Sequence, residues 1–204
     1  RLRTRDVLFG LIDLCSELGG KVLVHGSPNE RMVSPDEDHS RVFERVVKFF
    51  QEIAKHAGDR NLIYCIEALT KTETNFINCL EESSELVRSV NHPSFKTMFD
   101  NRSVRAMESL PPDLVLQKWL PDGHIAHIHL NDSNLRGPGE GSDSFIKILQ
   151  VLKQFNYSGW ISVEPFVYDP DGKTCAARSI GFLRGILEGL NGCTSDSHRQ
   201  DSVY

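Results

Sequence analysis

The chain has 204 residues, 39% of them hydrophobic and 25% charged, the composition of an ordinary globular protein with enough chain for one sizeable core. A formal net charge of -5 supplies no basic face, so no nucleic acid partner is expected. No apolar run approaches membrane-spanning length, and the basic start RLRTRD leads into an amphipathic helix rather than a signal sequence; no membrane partner is expected, and the expected compartment is the cytoplasm.

In chain order, Val7, Leu8, Leu11, Cys15 and Leu18 recur at helical spacing and predict a helix with these residues inward, stopped by Gly19 and Gly20. The stretch from Lys21 to His25 reads as a short buried strand ending in the turn Gly26-Ser27-Pro28. A long helix follows, with Val42, Val46, Phe49, Phe50, Ile53 and Ala57 on one face and Gly58 as its stop. The second strand runs from Asn61 to Glu67, and a helix is predicted from about Asn75 to Val90. The third strand runs from Phe95 to Asp100, followed by an irregular stretch and a short helix from Leu114 to Leu120. The fourth runs from Ile125 to Leu130, and its helix carries Phe145, Ile148, Leu149, Leu152 and Phe155. The fifth runs from Trp160 to Glu164, with Trp160 expected in barrel packing, and the last helix spans Cys175 to Leu190. Residues 1–190 thus read as one folded unit, and the small, polar, aperiodic segment 191–204 as a disordered tail.

Strands alternating with helices predict an α/β fold, a parallel sheet covered by helices. Either an open doubly wound sheet or part of a (β/α)₈ barrel would satisfy this alternation. No GxGxxG or GxxxxGK[ST] follows a strand, so neither phosphate-cradling loop is present. The five cysteines are scattered and never form CxxC, which fits reduced thiols better than disulfides or a zinc knuckle.

Chemistry concentrates at strand ends. Glu67, Asp100, His129 and Glu164 each close a predicted strand, and parallel strands bring such ends together at one rim. For Asp100 taken alone, capping of the following helix is the stronger reading. Glu67 and Glu164 interrupt the apolar runs YCIEAL and ISVEPF, where an unpaired carboxylate would be costly. His127 and His129 face the same side of their strand; the latter lies nearer the rim and is the expected ligand, with His127 packed behind it. Three carboxylates and one imidazole suit Mn²⁺, Mg²⁺ or Co²⁺, and Zn²⁺ less well without thiolates. Such an ion acidifies the C–H between a hydroxyl and a carbonyl and stabilises the resulting enediolate, while Glu67 and Glu164 from distant strands could move the proton. Glu73, one turn further on, could tune Glu67 or bind substrate, and His25 is a weaker candidate for substrate contact beside its reading as part of a turn.

These residues also carry a resemblance. Residues 66–76 (IEALTKTETNF) resemble the E-P-L-N-R-x-E-T-N-F segment of ketose 3-epimerases and hydroxypyruvate-isomerase-like proteins. HIHLND (127–132), GPGEG (137–141) and YSGWISVEPF (157–166) resemble the family's H-x-H, P-G-x-G and Y-x-G-W-x-x-x-E-x-F series in order and spacing. The resemblance implies a xylose isomerase-like TIM barrel with one divalent metal held at the positions of Glu67, Asp100, His129 and Glu164, the two glutamates also transferring the proton. It makes the chain the last five βα units of a (β/α)₈ barrel, with three strands expected upstream. The implied function is sugar or sugar phosphate isomerisation or epimerisation. The implied partner is that small molecule, and a homo-oligomer is the open assembly state.

Two departures bear on substrate contact. Where the family commonly has a histidine two or three residues after the aspartate ligand, this chain has Arg102 and Ser103; the family's loop arginine after His129 is displaced, with Leu135 near its place and Arg136 following. Alternative readings are a dehydratase, an apurinic-site endonuclease, which the acidic balance disfavours, and a truncated or degenerate barrel that holds metal without turnover.

Overall fold

The computed structural model describes residues 2–195, and the side chains of residues 3–192. Helix α1 (Leu2–Glu17) precedes β1 (Val22–His25); α2 (His39–Gly58) links it to β2 (Ile63–Ile66), and α3 (Leu80–Val90) links β2 to β3 (Phe95–Asp100). Helices α4 (Asn101–Met107) and α5 (Pro112–Trp119) precede β4 (Ile125–His129), α6 (Ile146–Gln154) precedes β5 (Trp160–Ser162), and α7 (Gly172–Ser195) follows. Local chemistry sets many boundaries. Asp38 caps α2 by accepting a hydrogen bond from Arg41 N, Asn91 ends α3 in the left-handed region at φ 49°, and Pro112 opens α5, where a missing N–H does no harm.

All five strands are parallel and lie in the order β1-β2-β3-β4-β5. Each strand sits beside its predecessor in the chain, with no reversal of direction across the sheet. A doubly wound sheet requires such a reversal; a barrel does not. The sheet is therefore an arc of a (β/α)₈ barrel. Register aligns the strand ends: His25 pairs with Ile66, Asp100 with His129, and His129 with Ser162.

Two apolar clusters fill the space between sheet and helices. Tyr64, Ile66 and Phe95 join α1, α2 and α3 in one; Phe99, Ile128, Ile161 and Val163 join α4 to α7 in the other. Because side chains alternate across a strand, Glu67, Asp100, His129 and Glu164 belong to the opposite, inner face. Among the described residues, no helix is long and apolar enough to cross a membrane.

Several local expectations need correction. The inward stripe of α1 is Leu8 and Ile12, whereas Val7, Leu11 and Leu18 are exposed. The apolar arc of α1 is wider than its contact with α2 and the sheet, so packing selects one part of it. Residues 75–79 are not helical: Ile77 adopts φ 62°, and Asn78 Nδ2 donates to the carbonyls of Leu69 and Thr74. The stretch after Asp100 is helical, as α4. Trp160 is 69% exposed, because among the described residues β5 pairs with β4 alone. Helix α7 begins earlier than expected and continues through Ser195, into the segment expected to be a tail; 196–204 lie outside the described residues. The four cysteines with described side chains are free thiols.

Candidate metal centre

Glu67 follows β2, and its backbone N–H donates to His25 O at 3.2 Å, extending the strand pairing by one residue. Arg31, 8% exposed, donates through Nη1 to Glu67 O at 2.6 Å. A Cβ on Gly26 would collide with Glu67 Oε2, so glycine there lets the loop after β1 close over the carboxylate. His129 ends β4, and its Nδ1 lies 3.2 Å from Glu164 Oε2 and 3.7 Å from Glu67 Oε1. That nitrogen is buried and makes no well-aligned hydrogen bond. Glu164 follows β5, with its backbone N–H held by Asn131 Oδ1 at 2.6 Å and its side chain 45% exposed.

One donor atom from each of Glu67, His129 and Glu164 falls within 4.8 Å of the others. Two carboxylates facing a buried imidazole nitrogen that lacks a hydrogen bond form a donor set that fits a divalent cation. The charges respond to this crowding. Burial, with the proximity of Asp100 and Glu164, pushes the Glu67 carboxyl up to about 7 against the pull of His129 and Arg31. Burial alone would lower the His129 imidazole, but Glu164, Glu67 and Asp100 outweigh it and its pKa is raised.

Asp100, the fourth strand-end candidate, accepts several hydrogen bonds. Its Oδ1 accepts from Arg102 N and Asn131 Nδ2, each at 3.3 Å, and its Oδ2 accepts from Ser103 N at 3.2 Å and Ser103 Oγ at 2.8 Å. It is the N-cap of α4 and lies outside the three-residue group. Two buried asparagines not singled out from the sequence join the strand ends. Asn101 and Asn131 exchange hydrogen bonds of 2.7 and 2.8 Å, and Asn131 also holds Asp100 and the backbone of Glu164. Their sequence signal is position alone: each lies one or two residues beyond a strand-end candidate.

The remaining candidates divide. Glu73 and Arg102 line the same cavity of about 470 Å³ as Glu67, His129 and Glu164. Arg102 Nη2 bonds Glu73 Oε1 at 3.0 Å, and its guanidinium lies 5.2 Å from the Phe166 ring centroid. Glu73 is thus paired with Arg102 and Thr70. His25 does not line this cavity: sharing a face with Leu23, it turns to the helix layer and bonds Tyr64 Oη through Nδ1 at 2.6 Å. Arg136 is also absent from the lining and pairs with Asp169 at 3.3 Å, because the loop after β4 folds towards the loop after β5. His127 packs behind the site, edge-on to His129 with ring centroids 5.0 Å apart.

The chain is similar to known proteins in sequence and in fold. The family described as xylose isomerase-like TIM barrel matches residues 1–186. A D-psicose 3-epimerase of Ruminiclostridium cellulolyticum is 28% identical over 125 residues, 61% of this chain and 42% of that protein. A 2-oxo-tetronate isomerase of Pectobacterium atrosepticum is 27% identical over 156 residues, 75% of this chain and 56% of that protein. The chain spans about half the length of these relatives. A solved L-ribulose 3-epimerase superposes with a TM-score of 0.83 at 16% identity, covering 99% of this chain and 73% of that one, a likeness of fold. With the barrel winding and the family match over nearly all of its length, the chain belongs to the xylose isomerase-like TIM barrel family.

Proposed function

We propose that this chain carries the proton-transfer apparatus of a divalent-metal-dependent sugar isomerase or epimerase acting on a ketose or keto-sugar. The observation that supports it most is the convergence of Glu67, His129 and Glu164 on one point, around a buried imidazole nitrogen without a hydrogen bond. The names of the relatives, epimerases of ketoses and an isomerase of a keto-acid, favour the same chemistry.

The proposed holders of the ion are Glu67, His129 and Glu164, with Asp100 supporting them from the cap of α4; the oxygen-rich set favours Mn²⁺, Mg²⁺ or Co²⁺ over Zn²⁺. When bound, the cation supplies polarisation of adjacent hydroxyl and carbonyl oxygens and lowers the barrier to removing the proton between them. The chain's own residues do the rest. Glu67, on the buried side of the site, serves as one proton carrier. Glu164 approaches from the far side of His129 on a half-exposed side chain and serves as the second proton carrier. Arg102, braced by Glu73, is proposed to contact substrate in the shared cavity.

The test is deuterium incorporation from heavy water into a panel of ketoses, run with Mn²⁺, Mg²⁺ and Co²⁺. Metal-dependent exchange at one carbon is expected, and Glu164→Gln should abolish it while circular dichroism stays unchanged. A variant with undiminished exchange would remove Glu164 from its role. Tight Mn²⁺ binding without exchange into any sugar would instead establish a metal-holding, non-catalytic barrel segment.

A further inference from the structure

We propose that Arg102 determines specificity in this cavity by reading an anionic group on the substrate, a carboxylate or a phosphate; the inference rests on the metal-centre reading above. Arg102 stands two residues after Asp100, at the start of α4, and reaches residues carried by two other strand-end loops. Its Nη2 is tied to Glu73 Oε1 at 3.0 Å, and its guanidinium lies over Phe166. Glu73 is itself held: its Oε2 accepts from Thr70 N at 3.0 Å and Thr70 Oγ1 at 2.7 Å. Both oxygens of Glu73 are therefore engaged, and its role is to brace the arginine rather than to present a free carboxylate.

The brace leaves donors over. Nε has no partner but is buried, so the donor left for a ligand is Nη1, for which no hydrogen bond is seen among the described residues. Among the described residues, Arg102 is also the only arginine or lysine lining the cavity; Arg31 lies behind its wall, bonded to Glu67 O and Ser27 O. A guanidinium fixed by an ion pair and an aromatic face is pre-organised for planar anionic oxygens, and its hydrogen bonds to an anion are stronger than those to a neutral hydroxyl.

Charge balance points the same way. The lining acids are Glu67, Glu73 and Glu164, and a divalent cation together with Arg102 offsets all three. A substrate anion then meets no net repulsion. Without the cation the same cavity is acidic, so anion binding should be metal-dependent.

Calorimetric titration of the Mn²⁺-loaded protein with three unreactive polyols tests this: threonate, erythritol 4-phosphate and neutral erythritol. At least one anion should bind about tenfold or more tighter than erythritol, and which one does so separates carboxylate from phosphate. Arg102→Gln should abolish that preference while Mn²⁺ affinity stays within about threefold. Phe166→Leu, which keeps the ion pair, should narrow the preference and provides the readout if Arg102→Gln fails to fold. Erythritol binding as tightly as both anions, no binding by any of the three, or an anion preference undiminished in both variants would overturn the proposal. Anion preference lost with Arg102, in a protein that exchanges no sugar proton, would uphold this inference and refute the catalytic reading.

Discussion

Glu67 follows β2, which has a strand on each side, whereas Glu164 follows β5, which among the described residues pairs with β4 alone. The two carboxylates approach the same imidazole nitrogen, yet the Glu67 side chain is 6% exposed and the Glu164 side chain 45%. The centre of the sheet removes water and strengthens each charge interaction; the edge leaves the carboxylate in contact with solvent. The same contrast separates Tyr64, fully buried on β2, from Trp160, exposed on β5. Residue type therefore says less about electrostatic behaviour here than the number of neighbouring strands.

The sharpest way to break this comparison is to replace each glutamate by its neutral isostere in the metal-free protein. At pH 8 the buried, ionised Glu67 destabilises the fold, and a pKa raised from 4.5 to about 7 corresponds to about 3 kcal/mol. Glu67→Gln should therefore raise the melting temperature by several degrees, while Glu164→Gln should change stability by about 0.5 kcal/mol or less. If both variants melt alike, the centre–edge distinction is wrong. The pH profile sharpens the same point. Between pH 4.5 and 7 the folded chain holds a proton on Glu67 that the unfolded chain releases, so its contribution to stability falls as pH rises. His25 and His127, both pushed down from 6.5 to about 4 chiefly by burial, act oppositely: the unfolded chain binds their protons first, and stability is lost as pH falls from 6.5 to 4. Denaturant titrations should show these trends offsetting in the unaltered chain and a rising profile in Glu67→Gln.

Asn131→Ala should have the next largest effect, since it strips the side-chain partners of Asp100 and of the Glu164 backbone N–H at once, while the backbone bonds to Asn101 remain. Leaving buried polar groups unpaired should lower stability by about 2–3 kcal/mol by chemical denaturation, and should loosen Glu164 more than Glu67. A smaller effect is expected from Gly26→Ala, whose methyl group would displace Glu67 Oε2. Titration with Mn²⁺ should show about tenfold weaker binding, equivalent to about 1.4 kcal/mol, with little loss of stability. Trp160→Ser should matter least, at about 0.5 kcal/mol or below in the same denaturant assay, because the indole has little burial to lose.

Much of this arrangement is legible in the sequence. Strand β3 begins and ends where the apolar run FKTMFD does, and the three residues that converge at the candidate metal centre lie among the four strand-end candidates. The turning of His25 towards the helices could also have been inferred, since Leu23 on the same strand face belongs to the apolar core. Arg136 was harder to place, because its direction depends on the fold of two loops against each other: Leu135 O accepts hydrogen bonds from Phe166 N and Val167 N, joining the loop after β4 to the loop after β5. The expected helix start at Asn75 failed because Phe76 and Ile77 continue an apolar pattern through a segment whose backbone is set by Asn78. Trp160 and the α1 stripe failed for one reason: periodicity identifies an apolar face but not whether a neighbour covers it.

The sequence by itself determined the alternation of strands and helices and the placing of Glu67, Asp100, His129 and Glu164 at strand ends, because both follow from periodicities of two and 3.6 residues that need no knowledge of distant contacts. Only the tertiary structure decided that Asp100 caps α4 while the other three share a point, that Asn131 ties their strands together, and that Arg102 enters the cavity braced by Glu73 and Phe166. Those outcomes depend on the register between neighbouring strands and on loops meeting across the rim, where partners far apart in the chain compete for the same oxygen atoms.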